Sequence, residues 1–258
     1  MSLDPFKVFM DLQLGLPRNG PGSDASTARA YDLAPRPEGK DGVEVLVLGC
    51  GAGAEVMTLL DFPETRVTAV DMMKPFIQEL EQRADAKGNV AGRLRTVCED
   101  FEHLSVPKGV FDLIWCEAAI YALGFGEALT LWQPFLKPGG AIVVSEAVWL
   151  TQTPSLNAVD FWDRMYPEMK TIGETTALAE QVGFAVESVF TLTKEEWWQE
   201  YYTPLRIRIQ KRLADLLGQG IEALAVIRDL EEEMELYETC GDEYGYAFFI
   251  LTPSKGKA

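Results

Sequence analysis

An apolar run that stops at a cluster of glycines constrains this chain more than any other feature. Val43 to Leu48 is nearly continuous in apolar residues, and Gly49-Cys50-Gly51-Ala52-Gly53 comes directly after it. A run of that length and composition is a strand buried on both faces, which belongs to a parallel sheet covered by helices. Closely spaced glycines let the chain turn tightly and let a ligand touch backbone. The helix after the loop, to about Leu60, presents free amides and a partial positive charge suited to a phosphate or an amino-acid carboxylate.

The same alternation continues downstream. Strands are expected at Arg66–Val70, Leu94–Cys98, Phe111–Cys116 and Ala141–Val148. Helices are expected from Pro75 to near Gly88, from Glu127 to Leu136 and from Thr176 to Val182. Late strands are expected at Ala185–Leu192 and Tyr244–Leu251. The stretch between those two is too long for a loop, so residues 194–240 read as a helical insertion. The expected fold class is α/β, with a seven-stranded, mostly parallel sheet and an antiparallel last strand. Residues 1–42 read as an N-terminal helical extension or lid. In it Phe6, Phe9 and Met10 share a helix face, and a second helix starts at Ser23 or Asp24 and stops before Pro35 and Pro37. Residues 43–258 form the main domain.

Two acidic sites accompany the glycine loop. Asp71 ends the second strand about 20 residues on, where a carboxylate can accept both hydroxyls of a ribose. Glu99-Asp100-Phe101 ends the third strand on the same sheet edge, where an aspartate can accept from an adenine amino group while Phe101 offers its amide. The spacing Gly49-x-Gly51-x-x-Ala54 also satisfies the dinucleotide fingerprint. A nicotinamide-dependent oxidoreductase is therefore an alternative; the missing second domain and the closing hairpin argue against it.

Bulk composition narrows the partners. Forty acidic residues against 23 basic ones give a net charge of -17, which repels phosphate backbones and anionic lipid. A small-molecule partner is expected, rather than nucleic acid or membrane. No apolar run reaches the length of a membrane span, no signal peptide opens the chain, and the four cysteines lie far apart. The expectation is a cytoplasmic protein with reduced thiols. With His103 the sole histidine, no histidine-rich metal centre is expected, and His103 itself reads as structural. The pattern sets no oligomeric state.

Val45-Leu46-Val47-Leu48-Gly49-Cys50-Gly51-Ala52-Gly53 resembles motif I of the class I S-adenosylmethionine-dependent methyltransferases. Phe111-Asp112-Leu113-Ile114-Trp115 and Leu136-Lys137-Pro138-Gly139-Gly140 resemble their fourth-strand motif and the turn before their fifth strand. Further stretches, among them Arg18-x-Gly20-Pro21-Gly22-Ser23 and Tyr244-Gly245-Tyr246, are similar to a bacterial group of small-molecule methyltransferases with a ubiquinone-biosynthesis-type core. The resemblance implies a Rossmann-like methyltransferase fold and S-adenosyl-L-methionine as cofactor, with S-adenosyl-L-homocysteine as product. It implies cofactor contacts from Gly49, Cys50, Gly51, Gly53, Asp71, Met72, Asp100 and Phe101. The sequence departs from the family at Val47, where an acid usually helps hold the cofactor ammonium. Glu117 is the expected substitute, and Arg18 is expected to hold the cofactor carboxylate.

The implied reaction is an in-line methyl displacement, in which the protein orients two reactants and excludes water. Glu117 and Tyr121, after the fourth strand, are the candidate catalytic residues; Glu146 and Trp149, on the fifth, are further substrate-side candidates. Trp197, Trp198, Tyr201 and Tyr202 either surround an amine or anchor the insertion, the second being the commoner use of such spacing. Glu231-Glu232-Glu233 reads as a solvated helix face. A cofactor-binding protein without turnover is the remaining alternative, motivated by Val47 and by the lack of an obvious base; aminopropyl transfer ranks below it.

Overall fold

The computed structural model describes residues 5–36, 42–217 and 221–254. Its sheet comprises β1 (Val43–Leu48), β2 (Thr65–Val70), β3 (Leu94–Val97), β4 (Phe111–Cys116), β5 (Leu136–Trp149), β6 (Lys170–Thr171), β7 (Phe184–Thr191) and β8 (Tyr244–Pro253). The order is β3-β2-β1-β4-β5-β8-β7, with β6 pairing beside the end of β5. Only β8 runs against its neighbours β5 and β7. This is the expected mostly parallel sheet; the eighth strand, β6, is two residues long and too short to show a period in the sequence.

Side chains alternate across the sheet as the strand period requires. Val45, Val47, Leu113, Trp115 and Val143 face one layer, while Leu46, Leu48, Ile114, Cys116 and Val144 face the other. The first layer is built by α1 (Pro5–Gln13), α2 (Asp24–Leu33), α3 (Ala54–Leu59) and α4 (Lys74–Lys87). The second is built by α5 (Phe125–Trp132) and α7 (Ile172–Gln181). Between them in the chain lies α6 (Leu156–Met165), capped by Ser155. Ala158, Phe161, Trp162 and Met165 recur along it at helical spacing, a face that the strand-and-helix reading of the sequence passed over.

The insertion consists of α8 (Lys194–Trp197), a π turn at Trp198–Tyr202, α9 (Thr203–Leu217) and α10 (Ile221–Cys240). Trp197 stacks on Tyr237 with ring centroids 4.3 Å apart and also touches Tyr202, Tyr244 and Tyr246. This hub anchors the insertion to β8, the commoner of the two uses for aromatics at such spacing. Against α9 and α10 packs α1, burying Val8 and Leu12. The expected Phe6-Phe9-Met10 face lies on this helix: Phe6 and Phe9 line one cavity and Phe9 packs with Met10, although Phe6 is 52% exposed. A Ser23–Ser26 capping box opens α2, which ends at Leu33, before Pro35; Pro37 lies outside the described residues.

One motif takes a different form. Leu136 to Gly140, expected as a turn before the fifth strand, belongs to β5 itself. Phe111 pairs with Leu136 and Leu113 with Ala141, so residues 137–140 bulge opposite Asp112. The Asp112 carboxylate holds Lys137 Nζ at 2.6 Å, and Gly139 supplies a φ of 80°. The helix expected at Glu127–Leu136 closes instead in a single 3-10 turn, Gln133–Phe135, around Pro134.

Candidate active site

Parallel pairing brings the functional strands to a common edge. Leu48 lies opposite Val70 and Val47 opposite Trp115. The next residues along β1, β2 and β4 therefore put Gly49, Asp71 and Glu117 side by side. Strand order reverses between β1 and β4, and ligands of open α/β sheets bind at such a reversal.

Close approach explains the glycines. Gly49, Gly51 and Gly53 take φ of 66°, 49° and 80°. A Cβ on Gly49 would lie 2.6 Å from Ala119 Cβ, and one on Gly53 would collide with Leu80 Cδ1. The Cys50 side chain is buried in the core, so the loop offers a ligand the backbone of this residue alone. Asp71 braces the loop: its carboxylate accepts from Gly51 N at 2.9 Å and from Met73 N at 2.7 Å. Burial pushes the Asp71 carboxyl up, against the pull of those two amides. Each oxygen keeps a lone pair for a further donor. Next to it, Met72 is 61% exposed, an apolar surface beside the acid.

At the end of β3, Asp100 accepts from Glu102 N at 2.9 Å. Phe101 sits edge-on to Trp132, whose Nε1 donates to the Phe101 carbonyl at 3.2 Å, and its ring lies over Gly49. His103, read as structural, is exposed on the same turn.

The N-terminal segment folds onto the glycine loop and completes a buried ionic cluster. Asn19 Oδ1 accepts from Ala52 N at 2.8 Å. Arg18, with its side chain 6% exposed, donates to Glu117 Oε2 at 3.2 Å and to Asp24 at 2.9 Å. Glu117 Oε1 accepts from Trp115 Nε1 and from Thr27 Oγ1, both at 2.8 Å. Burial alone would lower the Arg18 pKa; Glu117, Glu55 and Asp24 outweigh it and raise it. Glu55, in the first turn of α3, escapes the sequence reading. It is buried beside Glu117 and Arg18, and burial followed by repulsion from Glu117 pushes its carboxyl up to about 8. Val47 is wholly buried in the same layer. Two carboxylates, Glu55 and Glu117, thus stand around one arginine in the layer that holds Val47. The available signal was an acid two residues beyond Gly53, on the inner face of a helix that starts there.

Beyond this cluster lies a cavity of about 390 Å³, with Asn19, Gly20 and Ala118 in its wall. Ala118 is the one non-glycine among the described residues with a positive φ, 53°, and its N–H donates to Ser145 Oγ at 2.8 Å. Strain of this kind is concentrated at functional sites. Tyr121 lines the cavity, 51% exposed, with its ring edge towards Tyr166. Glu117 does not line it, because its carboxylate is turned into the arginine cluster. Glu146 faces a neighbouring cavity of about 370 Å³, accepts a hydrogen bond from Tyr166, and is pushed up to about 7 by burial. Trp149 packs against Tyr244 and lines neither cavity.

The acidic run on α10 is corrected by the structure. Glu231 is exposed and Glu232 pairs with Arg164 at 2.6 Å, but Glu233 turns inward. It accepts from the Tyr202 hydroxyl at 2.7 Å and lines the 390 Å³ cavity. Val226, Leu230, Glu233 and Tyr237 recur at spacings of four, three and four. That is a single helix face, and it was readable.

Comparison with known proteins agrees with this geometry. Residues 45–140 match the model of the methyltransferase domain family. YjhP from E. coli superposes with a TM-score of 0.79 at 21% identity, covering 96% of this chain and 99% of its own. An S-adenosylmethionine-dependent methyltransferase from Thiobacillus denitrificans, solved with S-adenosyl-L-homocysteine, superposes with a TM-score of 0.76 at 23% identity, covering 98% of this chain and 100% of its own. A sterol 24-C-methyltransferase of Pneumocystis carinii is 26% identical over 156 residues, 57% of this chain and 41% of that protein. The chain spans less than half the length of the sterol methyltransferases it matches. The family match lies within residues 45–140, and the chain as a whole has the Rossmann-like fold of the class I methyltransferases.

Proposed function

We propose that the protein transfers a methyl group from S-adenosyl-L-methionine to a small-molecule acceptor by in-line displacement, leaving S-adenosyl-L-homocysteine. The observation that carries this reading is Asp71 locked to Gly51 and Met73 at the strand-order reversal. It stands between an ionic cluster at one end and an exposed apolar surface at the other. A ligand with an amino-acid head, a ribose and an adenine meets matching chemistry along that line. Arg18 faces its carboxylate, Glu117 and Glu55 its ammonium, Asp71 its ribose hydroxyls, and Met72, Asp100 and Phe101 its adenine. The backbone of Gly49, Cys50, Gly51 and Gly53 supplies the floor.

S-adenosyl-L-methionine supplies an electrophilic methyl group on a cationic sulfur. The protein's own work is then to orient the acceptor and exclude water, for which effective molarities of roughly 10⁵–10⁸ M are available. Tyr121, on the cavity wall beyond Ala118, orients the acceptor; Glu117 serves from the ionic cluster. The acidic surface favours a small acceptor over nucleic acid or anionic lipid. No helix among the described residues is long and apolar enough to cross a membrane; a cytoplasmic location is part of this proposal.

Incubation with methyl-labelled S-adenosyl-L-methionine and panels of small amines, phenols, thiols and quinones tests the reading. Label in an acceptor, with matching S-adenosyl-L-homocysteine, is expected. Tight cofactor binding with no transfer across all panels would favour a binding protein without turnover.

A further inference from the structure

We infer that the methyl acceptor is an amine carried on an apolar body, its nitrogen seated between the Glu233 carboxylate and the tyrosine rings of the 390 Å³ cavity; this rests on the methyl-transfer reading above. Three large apolar or aromatic side chains with unusually high exposure, Phe6 at 52%, Tyr121 at 51% and Met165 at 51%, all lie on the wall of this one cavity. They are the surface an apolar ligand body would cover, and the volume falls in the range of small-molecule pockets, roughly 300–1,000 Å³.

Charge on the wall is of one sign. Among the described lining residues none is Lys, Arg or His, and the two charged ones are Asp229 and Glu233. Asp229 shares its charge with Arg228 at 3.3 Å. Glu233 instead faces a ring of phenols: Tyr202 donates to it, and Tyr121, Tyr201, Tyr244 and Tyr246 lie within its field. A carboxylate or phosphate ligand finds no counter-charge here. A neutral alcohol or thiol gives Glu233 at most a hydrogen bond and no counter-charge against its desolvation, which pushes that carboxyl up. An ammonium satisfies the acid, and its positive charge suits the faces of Tyr121, Tyr166, Tyr201, Tyr246 and Trp162.

The wall of the cavity also reaches the glycine loop. Asn19 and Ala118 belong to its wall, and Asn19 rests on Ala52 N of the glycine loop. The bound ammonium first gives a proton to the Glu233 carboxylate and on to water, and the freed lone pair forms the new N–C bond as the C–S bond breaks and its electron pair passes to sulfur. The nitrogen is then cationic; from a primary or secondary amine its proton leaves to the Glu233 carboxylate and on to water.

Calorimetry of the full chain with benzyltrimethylammonium and with 3-phenylpropionate tests this, S-adenosyl-L-homocysteine being titrated separately. The cation is expected to bind and the carboxylate not to bind. Glu233→Gln, which keeps an acceptor for Tyr202, is expected to weaken the cation by about 10–100-fold and to leave S-adenosyl-L-homocysteine binding unchanged. Equal binding of the two ions, binding of neither, or a Glu233→Gln variant that holds the cation as tightly would overturn the inference. The wild-type contrast between the ions decides the matter even where the variant does not fold. Cation binding without S-adenosyl-L-homocysteine binding would sink the methyl-transfer reading and leave the cation site standing.

Discussion

Glu55 shows how far a single residue can be set by its surroundings. Its ordinary value of 4.5 is pushed up to about 8 by burial and by Glu117. An acid whose folded value is raised binds more protons in the native than in the unfolded state between those two values. Stability therefore falls as pH rises across that window. Glu55→Gln removes this contribution, so denaturant unfolding at pH 5, 6.5 and 8 should show a shallower decline than the wild type. Equal slopes would place Glu55 outside the buried cluster. Arg18 is the other half of that cluster. Removing one partner of a buried pair costs about 3–5 kcal/mol, and Arg18→Ala strands Glu117 beside Glu55. A loss of that order is expected in urea unfolding, whereas a loss below about 1 kcal/mol would reduce the pair to the rank of a surface salt bridge. At this scale the sequence showed Arg18, Asp71 and Glu117 through their places in motifs. Glu55 and Glu233 were passed over although their helix faces are readable, because an acid on such a face is assigned inward only once the packing of its helix is known.

Elements carry their information in periods and caps. The strands at β1 and β4 were legible because the apolar run is nearly unbroken, and β2 through the alternation of Val67, Ala69 and Val70 with polar residues. The bulge at residues 137–140 was not legible, because Lys-Pro-Gly-Gly is equally good chemistry for a turn; the ion pair of Lys137 with Asp112 across the sheet selects the bulge. Helix α6 was legible in the helical spacing of Ala158, Phe161 and Trp162, and what that face packs against is set by the insertion. Caps and turns can be tested at two positions. Ser23 Oγ accepts from Ser26 N at 3.0 Å and donates to Glu196 Oε1 at 2.6 Å, tying α2 to α8. Ser23→Ala should cost about 1 kcal/mol for the cap alone, with a larger loss if the tie to Glu196 contributes; no loss would mean the cap is dispensable. Gly53→Ala combines a left-handed φ, worth about 1–2 kcal/mol for other residues, with a clash on Leu80. Thermal unfolding should show it less stable than an alanine substitution at exposed Gly173, where a Cβ meets nothing within 4 Å.

As a whole, the molecule places a dense aromatic and acidic chamber against a glycine loop, roofed by an N-terminal strap and a helical insertion. The sheet order and the site edge were legible because strand–loop–helix alternation admits few topologies. The roof was legible only as helix, because what it covers depends on side chains brought together from residues 5 to 246. A net charge of -17 on a chain of 258 residues makes the compact state repel itself. Raising NaCl from about 10 to about 300 mM shortens the screening length severalfold and should raise the melting temperature. A ribose-bearing, amino-acid-headed cofactor is expected to lie on the glycine loop with Asp71 at its middle. Calorimetric titration of S-adenosyl-L-homocysteine and of NADH into the wild type and Asp71→Asn tests it most directly. Micromolar binding of S-adenosyl-L-homocysteine, weakened about 10–100-fold in the variant, with no heat from NADH, is the result predicted. Binding of NADH alone, or S-adenosyl-L-homocysteine binding untouched by Asp71→Asn, would contradict the account.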